Sequence, residues 1–405
     1  MFTLVEKSEE NKYAAKKIRK ALDLREKYQS KLIKQPDWTL PCEPPFDPKM
    51  PPASKDVFYV SKGLFLIEGK EDQQLLDIEQ FCKDYNSLCK IIASGPVKSF
   101  SYYRLRILRC QFDILKQTNK KESDLDISVI SRITKVDTHI HLAAAMTQKH
   151  LFEFIKSKAK TEQDRVVTAK NETLAQVFDN LDLTLSQLDS LTPDHLKVSA
   201  ESTFQRFDKF KEKYNPFGES ILKEIFMKVR NHINGVYYAE LIKQMFEKLE
   251  NSKYDRAEFR LSIGGLHIDD WDVNAKFIVN NKLYSTHHRW MVQVPREFKQ
   301  AKESGIIHSF QDHLDNIFRP LFEATINPSS HPELHQFLHQ LSAFDSVDDE
   351  GLLEREFIEV AKIPPCEWTQ PENPPYAYYC YYMWANITSL NRIRAERGFR
   401  TFMFR

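Results

Sequence analysis

Residues 135–142 read KVDTHIHL. Side chains alternate faces along a strand, so Val136, Thr138 and Ile140 share one face while Asp137, His139 and His141 share the other. Both imidazoles then converge on one point. Two neutral imidazoles at i and i+2 supply half of a tetrahedral zinc site, and the carboxyl end of a strand is where barrel enzymes place their chemistry. A pair of hydrogen-bonded core histidines is the other reading, and these residues alone leave both open.

From Lys135 onward, short β-rich runs alternate with helical stretches. Strands are predicted at Val136–Leu142, Glu258–Ile263, Arg289–Val294, Phe344–Val347 and Gly398–Phe404, with helices at 147–158, 219–230, 235–250, 268–281, 309–318, 331–341 and 376–397. Such alternation predicts a parallel sheet with right-handed crossovers. With only ten glycines and no Gly-rich loop after a strand, a dinucleotide or P-loop fold is poorly supported, which leaves an α/β TIM-type (β/α) barrel. Five strands make it incomplete, about five of eight. Upstream, residues 1–125 read as a mostly helical accessory region: an amphipathic helix over 5–34, helices near 72–92 and 99–120, and a hairpin, Val57–Val60 and Leu64–Ile67, turning at Gly63. Seven prolines between Gln35 and Ala53 impose an extended or looped linker. Residues 126–405 hold the barrel part.

The 58 Lys+Arg against 57 Asp+Glu give a net charge of +1, which argues against a nucleic-acid or membrane-surface protein. The longest apolar run, Tyr376 to Ala385, is ten residues, about half of a spanning helix. The first residues hold no secretory apolar core, and Phe2 stands where myristoylation needs glycine, so a cytosolic (cytoplasmic) location is expected. Six scattered cysteines with no CxxC pair read as reduced thiols.

KVDTHIHLAAAMTQKHLFEFIK resembles the first zinc-ligand strand and following helix of the AMP deaminase family, in the amidohydrolase superfamily. The resemblance continues through LDLTLSQLD (181–189), RFDKFKEKYNPFGES (206–220), NGVYYAELIK (234–243), AEFRLSI (257–263) and RWMVQVPR (289–296). It runs on through NIFRPLFEATINPSSHPELHQFL, FDSVDDE, ENPPYAYYCYYMWANI and RGFRTFMFR, colinear blocks covering about 130–405. It implies hydrolysis of the 6-amino group of AMP to IMP and ammonia, a Zn2+ cofactor held by His139 and His141, and His141 also near the substrate. It further implies that Lys209, Phe210, Lys211, Glu212, Lys213 and Tyr214 form the AMP-contacting loop, although position 211 departs from the family's Asn. Without the resemblance, that Lys/Glu run reads as a solvated face. The family also suggests a homo-oligomer.

Two features distract. His331-Pro332-Glu333-Leu334-His335 lacks the Glu that a metalloprotease places directly after the first His, so a capped structural helix with Pro332 in its first turn after Ser330 is expected. Asp345, Asp348 and Asp349 cluster at a strand end, where barrel chemistry occurs, with nothing to fix them as ligands. In the family, the strand resembling RGFRTFMFR leads into Pro-His-Cys-Gly-Glu, which supplies a third zinc ligand and the residue that protonates the purine; a later His and an Asp pair follow. The expectation is therefore a truncated AMP deaminase, inactive by itself, or else a non-catalytic homologue that partners an intact subunit.

Overall fold

The computed structural model describes residues 9–32, 50–70, 75–118, 133–183, 219–347 and 357–405. At the N-terminal end stand three helices, α1 (Glu9–Leu32), α2 (Ile78–Ala93) and α3 (Gly95–Thr118), and a hairpin of β1 (Phe58–Ser61) and β2 (Leu64–Ile67). The hairpin forms where the sequence places it. Lys62 and Gly63 both take positive φ, 49° and 84°, the two-residue geometry that matches the twist of antiparallel strands. A Cβ on Gly63 would also lie 2.6 Å from Tyr382 Cε1, so the turn doubles as a docking point.

It docks on the helix Tyr376–Glu396. That run is apolar all round, and such a helix must be buried on every side. Two of its polar groups take up backbone atoms of the hairpin: Asn386 accepts from the Phe65 N–H (2.8 Å) and donates to the Gly63 carbonyl (3.0 Å), and Ser389 donates to the Phe65 carbonyl (2.5 Å). Leu32, Phe65 and Ile67 accordingly belong to the same apolar core as the larger sheet. The outer part of α3 is different. From Tyr102 to Phe112 it is exposed all round, with Leu105 66% and Phe112 64% accessible.

The larger sheet contains β3 (Lys135–His141), β4 (Asp255–Ser262), β5 (His288–Pro295), β6 (Leu341–Val347) and β7 (Met403–Phe404), every neighbouring pair parallel and in chain order. Ala257, Phe259, Trp290, Val292, Val294 and Phe344 face the helices, where Trp290 meets Phe246 and Phe337, and Phe344 meets Trp271. The opposite face carries Glu258, Arg260, Ser262, Gln293 and Asp345 beside the buried Met291 and Ala343. There Arg405, just past β7, donates to Glu258 of β4 at 2.6 Å. Those strands lie three spacings apart, about 14 Å on a flat sheet, so the contact fits a sheet curled with its polar face inward, as in part of a barrel wall.

Two expectations about the sheet are corrected. Asp137 does not share a face with His141. Asp137 pairs with Ala257 and His141 with Arg260, so β3 advances four residues while β4 advances three. The extra residue is a bulge that breaks the alternation and turns Asp137 to the other side, where its carboxylate accepts from the His139 N–H at 3.0 Å. The fifth strand is also far shorter than Gly398–Phe404. Gly398 takes φ 68° to close the preceding helix, and the Asn391 side chain, at 2.7 Å to each, occupies both the N–H and the carbonyl of Phe402, so ladder pairing begins only at Met403.

The His331 segment is structural, though not capped as expected. Pro332 opens the helix Pro332–Leu338, and its N-cap is His331, with no side-chain cap bond. The His331 ring instead bridges two helices, Nδ1 to Asp272 (2.9 Å) and Nε2 to Glu323 (3.2 Å). The hydrogen bond to Asp272, helped by Glu323, holds its pKa above the usual 6.5 against the opposing effect of burial. A His raised in the folded state stabilises fully below pH 6.5 and loses that contribution as pH rises through its folded pKa. The stability difference between wild type and His331→Gln should therefore be of order 1 kcal/mol near pH 6 and shrink above neutrality. Thermal unfolding from pH 5.5 to 9 measures it, and a pH-independent difference would contradict the clamp.

Candidate metal and substrate site

The inner ends of four strands build the site. In β3 the bulge ends at Ile140, which pairs with Phe259 toward the helices, and this leaves His141 on the inner face opposite Arg260. Ser262, Gln293 and Asp345 stand in register across β4, β5 and β6 at the same carboxyl end. Gln293 has no choice of face, because its neighbours Val292 and Val294 are fully buried toward the helices.

The rings of His139 and His141 lie 5.6 Å apart, edge to face, so the sequence-expected pair does meet. Nδ1 of His141 is 2.5 Å from Oε1 of Gln293, whose Nε2 donates to Ser262 Oγ at 2.6 Å. Beside them Arg260 and Asp345 form a buried ion pair at 3.1 Å, and Arg260 also reaches the Thr138 carbonyl at 3.5 Å. Burial lowers the pKa of His141 against the upward pull of the Gln293 hydrogen bond, helped by the Arg260 charge, and this favours the neutral imidazole, the form a metal accepts. Burial pushes the Asp345 carboxyl up, against the pull of Arg260 and the two imidazoles. Of the strand-end aspartates, Asp345 thus belongs to this site, while Asp348 and Asp349 lie outside the described residues.

A zinc ion needs neutral imidazoles whose second nitrogen is tied to a hydrogen-bond partner. His141 meets both conditions, and with His139 it fits half of such a centre. Among the described residues no group of three or more His, Cys, Asp and Glu is placed to hold a metal ion. The loop Lys209, Phe210, Lys211, Glu212, Lys213 and Tyr214 also lies outside the described residues.

Gln293, Ser262 and Arg260 escaped the sequence reading. The signal was present as polar residues at period two, Glu258, Arg260 and Ser262, inside an otherwise buried strand. Inward polar residues on a parallel strand need partners, and these find them on other strands: Glu258 in Ser342 and Arg405, Arg260 in Asp345, Ser262 in Gln293.

The chain is similar to known proteins over most of its length. The family model described as AMP deaminase matches residues 46–405. The AMP deaminase of Saccharomyces cerevisiae is 43% identical over 353 residues, covering 83% of this chain and 43% of its own. That of Dictyostelium discoideum is 39% identical over 425 residues (98% and 53%), and human AMP deaminase 3 is 37% identical over 442 residues (98% and 57%). The chain spans about half the length of the curated relatives it matches. On a family match that runs over most of its length and includes every strand of the curled sheet, this chain belongs to the AMP deaminase family.

Proposed function

We propose that this chain carries the zinc- and substrate-binding half of a hydrolase that converts AMP and water to IMP and ammonia. The observation that carries the reading is the His139–His141 pair on the inner face of a parallel sheet, braced by Gln293, in a chain of this family. His139 and His141 would hold the zinc, with further ligands from beyond the described residues. When bound, zinc supplies the Lewis acidity that lowers the pKa of water from 15.7 to about 7. The purine C6 gains the water oxygen and loses its amino nitrogen as ammonia. The chain's own residues orient this: Gln293 and Ser262 hold His141, and the Arg260–Asp345 pair lines the floor beneath it. The cytosol and a homo-oligomer are the expected setting, and no described helix is long and apolar enough to cross a membrane.

Full-length protein should release ammonia from AMP and contain zinc by elemental analysis. A site of His139 and His141 without further ligands should hold zinc weakly, because two histidines leave a tetrahedral site half filled. A zinc-free protein that deaminates AMP would sink the metal reading. The exposed apolar stretch of α3 favours a second reading, a non-catalytic subunit that binds an intact one. Zinc-loaded protein without turnover, recovered in complex with an active deaminase, is the outcome that reading expects.

The loop over 209–214 gives a separate test. Charge-assisted contacts from lysines to a phosphate are worth about 1.5–3 kcal/mol each. Lys209→Ala and Lys213→Ala should therefore lower kcat/KM for AMP about 10- to 100-fold and leave adenosine turnover nearly unchanged. Equal losses on both substrates would place the loop elsewhere.

A further inference from the structure

We propose that Gln293 is a positioning residue that fixes the tautomer of His141 and so decides which ring nitrogen is left to ligate. For its functional meaning the proposal rests on the zinc reading above; the tautomer itself does not. The side-chain oxygen of Gln293 faces His141 Nδ1 at 2.5 Å. An amide oxygen only accepts, so Nδ1 carries the hydrogen. A neutral imidazole has one ring N–H, which places the lone pair on Nε2. Free imidazole side chains prefer the opposite arrangement, with the hydrogen on Nε2, so the sheet overrides the intrinsic preference.

The other end of the amide is bonded as well. Gln293 Nε2 donates to Ser262 Oγ at 2.6 Å, from the residue in register on the neighbouring strand. The backbone is pinned as well, since the Gln293 carbonyl accepts from the Ile263 N–H at 3.0 Å. Val292 and Val294, buried on the helix side, keep the Gln293 side chain on the inner face. Ser262, Gln293 and His141 therefore form a relay across three adjacent strands. It is built from neutral groups and does not depend on a charge at any of them.

The test measures tautomer and metal separately. In the full chain labelled with ¹⁵N-histidine, His141 is assigned by its loss in His141→Asn. Wild type should show a protonated Nδ1 and an unprotonated Nε2. Gln293→Leu removes the acceptor and should move the hydrogen to Nε2. Gln293→Glu keeps an acceptor at the same reach and should retain the wild-type tautomer, and Ser262→Ala should give a mixture. Zinc affinity should fall about 10- to 100-fold in Gln293→Leu, the range for loss of a partner to a metal-bound His, and stay near wild type in Gln293→Glu. A merely structural role predicts equal losses for the two variants and no change of tautomer. Should Gln293→Leu fail to fold, Gln293→Glu and Ser262→Ala still decide. A wild-type His141 protonated on Nε2 overturns the proposal, as does a tautomer unchanged in both Ser262→Ala and Gln293→Leu. A chain that binds no zinc yet shifts tautomer in Gln293→Leu supports the Gln293 assignment and sinks the zinc reading alone.

Discussion

Alanine at His141 in the full-length protein is expected to strip zinc and to lower AMP turnover by about 10³-fold or more, because without the metal the pKa of water returns from about 7 toward 15.7. The loss should come in kcat and not only in KM, since the group removed acts on the reacting centre. His139→Ala should behave alike. The two rings are 5.6 Å apart on one face, and half a ligand set does not survive the loss of either member. The fold should tolerate both changes. His139 is on the exposed part of β3, and His141 is half-buried with one hydrogen bond to a side chain, so neither deletion opens a cavity in the helix-side core. Unfolding curves that overlay wild type, alongside zinc content near zero, are the expected pair of results. Full zinc occupancy in His141→Ala would show that the ion sits elsewhere.

How much of this was legible beforehand varied with how local the determinant is. The turn at Lys62-Gly63 needs only two residues with positive φ between two apolar runs, and the hairpin sits where it was read. The histidine pair is local as well. What surrounds it is not. The bulge at Thr138–His139 exists only as a mismatch between two strands that are more than a hundred residues apart in sequence, so strict alternation put Asp137 on the wrong face. Gln293 meets His141 across 152 positions, which no spacing rule reaches. The stretch Gly398–Phe404 shows the opposite failure. Its β-prone Phe and Thr residues favour a strand, but Asn391 takes the backbone groups of Phe402 first, and a side chain one helix turn from the end of an element outcompetes propensity. Helix ends were misjudged for a similar reason. The expected helix over 309–318 instead runs from Phe310 to Ile326, through Pro320, because Leu314, Ile317, Phe318, Leu321 and Phe322 hold it in the core.

Removing Arg260 should be the most damaging single change to the inner face, costing about 3–5 kcal/mol of stability. Arg260 is 6% exposed and Asp345 9%, with 3.1 Å between them, so alanine leaves a buried carboxylate without its partner. The size of the loss comes from the orphaned charge and not from the value of the pair. Burial already pushes the Asp345 carboxyl up with Arg260 present, opposed by the Arg260 guanidinium, the nearby imidazoles and the charge of Arg405. Arg260→Met, which keeps the aliphatic stem, should therefore cost nearly as much as Arg260→Ala. The double variant Arg260→Met with Asp345→Leu should recover most of the loss, because a buried ion pair replaced as a unit by apolar side chains is often neutral to stability. Denaturant unfolding of the four proteins gives the coupling directly as a double-mutant cycle, and the coupling should be at least as large as the loss that the double variant recovers. Activity should not recover with stability. The same double variant leaves an apolar floor under His141, where burial alone would act on the ring without the polar neighbours that place it. Additive stability losses in the cycle would mean that Arg260 and Asp345 serve different partners and that the floor of the site is not one ion pair.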